Sequence, residues 1–132
     1  MQPDVSKFWD RSVENLHVTL LASKGRHFNA AASRYYYAMR LAIHALFKNS
    51  SIEGARISRG GNQIEHWTHP ALINRAEEVL KTKLPNIRNI LEMAKELREK
   101  GDYEPFPVTG PRIRSLRTRS LRLFRTILDE IK

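Results

Sequence analysis

The chain has 132 residues, 41% of them apolar, which suits one domain with one core and argues against two. Its formal charge of +9 is large for that length and favours an anionic partner, nucleic acid being the commonest. There is no cysteine, so disulfides, thiolate metal sites and cysteine nucleophiles are excluded.

The start, MQPDVSKFWD, has neither a basic leader nor an apolar run. No stretch approaches the ~18 apolar residues of a membrane span, so the chain reads as a soluble, cytoplasmic protein. Its apolar period is that of helices and no run alternates as a strand does, which predicts an all-α fold in a single domain over residues 1–132. A first helix is expected from about Asp4, an N-cap after Pro3, to Lys24, with Phe8, Val13, Leu16, Leu20 and Leu21 inward and Gly25 as its breaker. A second, Phe28 to Phe47, is rich in alanine (Ala30, Ala31, Ala32, Ala38, Ala42, Ala45), which lets neighbours approach closely and makes it the expected central helix. Asn49 to His69 then forms a long segment with three glycines and no clear period, of the kind that tends to be mobile or functional. Prolines that tolerate a first helical turn predict a third helix from Pro70 and a fourth from Pro85, the latter stopped by Gly101. The last helix follows Gly110 and Pro111, with Ile113, Leu116, Leu123, Phe124, Ile127 and Ile131 on one face.

Three features carry chemistry. The segment Ala32 to Leu46 places Arg34 in a helix that is apolar on nearly every side. An isolated buried charge is too costly to persist, so Arg34 must be paired or must face a cleft. Its stripe at steps of three and four runs Arg34, Tyr37, Leu41, His44, Lys48, which puts the polar heads on one face of either a structural network or a site. On the fourth helix the stripe Leu84, Ile87, Leu91, Ala94 continues to Arg98, followed by Asp102 and Tyr103. A buried pair, with Arg34 or Arg98 satisfied by Asp102 and tyrosine hydroxyls, is the structural reading of both arginines. The last helix carries Arg112, Arg114, Arg117, Arg119, Arg122 and Arg125. It is either a solvated face or a phosphate-contacting surface, since guanidinium forks suit phosphate oxygens.

Together, Ala32-Ser33-Arg34-x-Tyr36-Tyr37-Ala38 and Arg98-x-x-Gly101-Asp102-Tyr103 resemble the signature of the HEPN domain (higher eukaryotes and prokaryotes nucleotide-binding). They are most similar to its small stand-alone prokaryotic branch with R-x-Y-Y-A and R-x-x-A-D-Y motifs. The resemblance covers nearly the whole chain and implies an up-and-down four-helix bundle with an additional short helix. It also implies a homodimer and a minimal nucleotidyltransferase as partner protein in a toxin-antitoxin system. Arg34, Tyr36, Tyr37, Arg98, Asp102 and Tyr103 are the implied signature positions. The branch often has a histidine where this chain has Leu41, while His44 lies one turn on. HEPN ribonucleases use an arginine and a histidine with four to six residues between them, paired across a dimer. Arg59 and His66 meet that spacing, but their two-glycine loop differs from the helical setting of the ribonuclease motif. His69, before Pro70, better fits the family's histidine at the start of the third helix, in a capping or packing role.

An imidazole can take a 2′-hydroxyl proton near neutral pH, and an arginine can neutralise the phosphorane-like charge without a metal. His66 and His69 are three apart but have no convincing third ligand, so neither a metal nor another cofactor is expected. Gly60-Gly61 lacks the pattern of a phosphate loop, and no serine stands in a nucleophile elbow. Glu77-Glu78 and Asp129-Glu130 read as solubility features. Three functions follow as expectations. The first is a module that binds RNA or nucleotide phosphates through Arg34, Tyr37, Arg98 and the arginines Arg112, Arg119 and Arg122 of the last helix. The second is a metal-independent endoribonuclease, with His66 or His44 as base and Arg59 or Arg34 on the phosphate. The third is a purely structural partner subunit.

Overall fold

The computed structural model describes residues 1–103 and 107–132. Helix α1 (Pro3–Lys24) is followed by α2 (Phe28–Asn49), strands β1 (Ala55–Arg59) and β2 (Asn62–His66), then α3 (His69–Leu80), α4 (Ile87–Tyr103) and α5 (Gly110–Ile131). The fold is mostly helical with one small two-stranded sheet. Among the described residues no helix is long and apolar enough to cross a membrane.

The centre is α2, which packs on α1, α4 and α5. Ala31, Ala32, Ala38, Ala42 and Ala45 are fully buried, and their small side chains let the neighbouring backbones come close, while Met39, Ile43 and Phe47 fill the spaces between. Ala30, by contrast, is exposed. On α5 the expected face is the observed one, since Ile113, Leu116, Leu123, Phe124, Ile127 and Ile131 are all buried.

Elsewhere the structure corrects the sequence reading. α1 starts at Pro3 without a side-chain cap from Asp4. Its buried positions are Val5, Ser12 and Thr19, spaced by sevens, while Leu20 and Leu21 point outward and Val13 is half-buried. Ser12 can be buried because its hydroxyl donates to the Ala38 carbonyl across the α1–α2 contact at 2.6 Å. The corner after α1 is made by Arg26, whose φ of 61° is left-handed, rather than by Gly25 at −80°. Gly101 does not end α4, which runs on to Tyr103. A Cβ there would lie 3.2 Å from the Asn29 backbone, so the glycine serves the close approach of α4 to α2.

The segment after α2 is not an irregular loop. Gly60 and Gly61 have φ of 57° and 82°, the two positive values of a type I′ turn, and Arg59 pairs with Asn62 across it. The strands are largely polar, with Ile57, its cross-strand partner Ile64 and the neighbouring Glu65 half-buried and the other strand residues exposed, so no alternation marks them in the sequence. Beyond the hairpin, Thr68 caps α3 by accepting from the Ala71 N–H, which leaves His69 free to pack.

If α2 is the close-packed centre, Ala42→Leu lowers stability by about 1–3 kcal/mol through overpacking. Ala30→Leu, on the exposed side of the same helix, changes it by less than about 0.5 kcal/mol. Urea unfolding midpoints of the two variants test this, and equal midpoints would contradict the packing described.

Candidate functional site

At 100° per residue, the consecutive Tyr35, Tyr36 and Tyr37 leave α2 in three directions. Tyr35 bonds Ser120 of α5, Tyr36 bonds His69 of α3, and Tyr37 accepts from Arg98 of α4 at 3.4 Å. The last two tyrosines build a cationic cluster. The Arg98 guanidinium lies 5.3 Å from the centre of the Tyr36 ring and 5.5 Å from that of Tyr37, in the range of cation–π attraction. The Tyr36 and Tyr37 rings meet edge-on. One turn after Tyr36, Arg40 donates to its hydroxyl at 3.3 Å and to the Trp67 carbonyl at 2.7 Å, which fastens α2 to the end of the hairpin.

His69 sits within this cluster. Its Nδ1 is 2.9 Å from the Tyr36 hydroxyl. Because Arg40 already donates to that oxygen, the consistent arrangement has Tyr36 donating to Nδ1, so the ring proton lies on Nε2. Nε2 is buried without a hydrogen-bond partner, and the Glu92 carboxylate stands 3.7 Å away. Burial, with Lys95 and Arg40 nearby, lowers the His69 pKa despite the opposing pull of Glu92. His69 is therefore a neutral packing group at pH 7.

Arg98 is only partly buried, with its Nε 3.6 Å from Asp102. The expected buried pair is thus a half-exposed one, worth about 0–1 kcal/mol, and the arginine's position owes as much to the two rings beneath it. Arg34 is exposed, which corrects the expectation of a buried charge on α2. The helix is not enclosed on every side: Arg34 and Tyr37, one turn apart, lie on an open side, with Tyr37 40% exposed. Tyr103 is exposed at the end of α4.

The remaining sequence candidates lie apart. Arg59 and His66 belong to opposite strands, but His66 faces Ala55 while Arg59 faces Asn62. Four ladder steps separate them, roughly 13 Å. His44 is stacked on Phe8 with ring centres 5.4 Å apart, and its pKa is lowered to about 4 by burial and then Arg40 and Lys48, against Glu65. It lies ten residues from Arg34 on α2, about 15 Å along the axis. Arg112, Arg119 and Arg122 are exposed on α5, where Arg112 borders a hollow of about 310 Å³ with Glu96 and Leu97 of α4. Among the described residues, no three of His, Asp and Glu are grouped to hold a metal ion.

Sequence reasoning missed Arg40, Lys95 and Glu92. Arg40 was detectable, being four residues after Tyr36 and hence on its face, whereas the two α4 residues join the cluster only through helix packing. No protein-family model and no curated protein matches the chain.

The histidines set an acid limit. Above pH 6.5, His44 is neutral whether folded or unfolded. Below that it binds a proton when unfolded but not when folded, until the pH reaches about 4. Stability should therefore fall by about 2–3 kcal/mol between these values through His44 alone, and His69 adds to the loss from the same upper limit. Chemical denaturation from pH 7 to 4 should show this slope, and His44→Gln should reduce it by about one proton. An unchanged slope would mean that His44 is not held neutral.

Proposed function

We propose that this chain is a HEPN-like module that binds RNA or a nucleotide through its phosphates and acts as a dimeric partner subunit, with a nucleotidyltransferase as counterpart in a prokaryotic toxin-antitoxin system. The carrying observation is the Arg98 guanidinium lying across Tyr36 and Tyr37, with exposed Arg34 one turn before Tyr37. An open tyrosine flanked by two arginines offers a base a surface to stack on and its phosphates two cations. The proposed fold is an up-and-down bundle of α1, α2, α4 and α5 with α3 as the additional short helix. Support for it comes from four helices of 17 to 22 residues beside one of 12. The charge of +9 and the exposed Arg112, Arg119 and Arg122 of α5 favour an anionic ligand and give it a longer track.

This geometry favours binding over cleavage within one chain. A metal-independent ribonuclease needs a histidine and an arginine converging on an open cleft. His44 is packed against Phe8, His66 stands far along the hairpin from Arg59, and the Nε2 of His69 is buried.

The test is fluorescence anisotropy with a labelled single-stranded RNA across a salt series, with EDTA present. Arg34→Ala combined with Tyr37→Ala should weaken binding at least tenfold and reduce the salt slope by about 0.7, the value for one phosphate contact on a single strand. The helical circular dichroism should stay unchanged at the assay temperature, so that the loss reports the binding face, although losing the Tyr37 contact with Arg98 lowers the melting temperature somewhat. Equal affinity and slope would contradict the proposal, and metal-free cleavage of the RNA would replace it with the ribonuclease reading.

A further inference from the structure

On the side of the molecule formed by α1 and α5 lies a second feature that owes nothing to the tyrosine cluster. Both helices pack on α2 but scarcely touch each other, and an open trough of about 600 Å³ runs between them. Its walls are apolar: Leu16 and Leu20, one turn apart on α1, face Ile113, Leu121 and Phe124 of α5. Leu20 and Leu121 remain 40% and 50% exposed. Tyr35 lies in the floor, and because its hydroxyl is bonded to Ser120, the floor asks for no polar partner. The rim is cationic, carrying Lys24, Arg26, Arg114 and Arg117. None of the four forms an ion pair with a carboxylate among the described residues.

We propose that this trough is a docking site for an acidic amphipathic helix of a partner protein, the helix laying its apolar face between α1 and α5 and its carboxylates against the rim. Each wall is a stripe at steps of three and four, so the trough is shaped for the ridges of a third helix. On α5 the lining extends from Gly110 to Phe124, about 21 Å, which is the length of about fourteen helical residues. The charge on the rim decides the occupant's sign. It also disfavours a second copy of this chain, because a two-fold contact would set the same four cations against themselves.

The probe is a labelled amphipathic peptide of about fourteen residues, with leucines at steps of three and four and glutamates on both flanks, compared with a twin carrying lysines instead. The acidic peptide should bind in the micromolar range, at least about tenfold tighter than its twin, and more weakly as salt rises. Arg114→Glu with Arg117→Glu should lose at least about tenfold in affinity, as should Leu20→Glu with Leu121→Glu, while the helical circular dichroism stays unchanged. Arg34→Ala should bind as the unaltered protein does, which separates this site from the RNA face. No binding of either peptide, or equal binding of both, would overturn the proposal. So would a concentration-dependent dimer in sedimentation that Leu121→Glu abolishes and the acidic peptide does not compete with, since the trough would then be covered by a second copy.

Discussion

Three consecutive tyrosines on one helix hold three other helices in place. Tyr35 reaches α5, Tyr36 reaches α3 and Tyr37 reaches α4, each through its hydroxyl, and the angular step of the helix is what sends them apart. The same helix is tied to α1 through Ser12 and the Ala38 carbonyl, and to the end of the hairpin through Arg40 and the Trp67 carbonyl. Buried alanines bring the neighbours close, and polar contacts around the circumference fix their rotation. Apolar packing alone tolerates sliding more readily than directional hydrogen bonds do. The cationic cluster follows from this arrangement: Tyr36 and Tyr37 converge with α3 and α4, so Arg40, His69 and Arg98 are gathered on two rings.

How much of this was legible in the sequence depended on whether the signal was apolar. On α5 every residue expected inside is buried, because the face is mostly an apolar stripe, although buried Gly110 and Ser120 interrupt it without a hydropathy signal. α1 could not be read this way, because Ser12 and Thr19 are buried and Leu20 and Leu21 are not. A reading that ranks positions by hydropathy turns such a helix the wrong way. The hairpin was hidden for a related reason, its strands being largely polar, and the Gly60-Gly61 turn was its one visible mark. Gly101 shows the converse error, a glycine read as a stop that instead permits contact with Asn29.

The arginines divide in the same way. Sequence spacing singled out Arg34 and Arg98 as charges inside the fold, yet one is exposed and the other lies half-exposed on aromatic rings. The pairing of Arg98 with Asp102 was visible from their spacing of four, while its seat on Tyr36 and Tyr37 depends on how α4 crosses α2. The proposal of a phosphate-binding face rests on this half-open arrangement. A fully buried Arg98–Asp102 pair would have indicated scaffolding alone, and fully solvated arginines would have given no preference for a base over any other anion.

The most direct test is an arginine side-chain NMR titration, following the Nε–Hε resonances as a short single-stranded RNA is added. If the tyrosine pair and its arginines form the binding face, the signals of Arg34 and Arg98 shift first and saturate together, at RNA concentrations where those of Arg114 and Arg117 stay in place. Shifts confined to the arginines of α5, with Arg34 and Arg98 unmoved, would contradict that assignment and leave the tyrosine cluster a purely structural device.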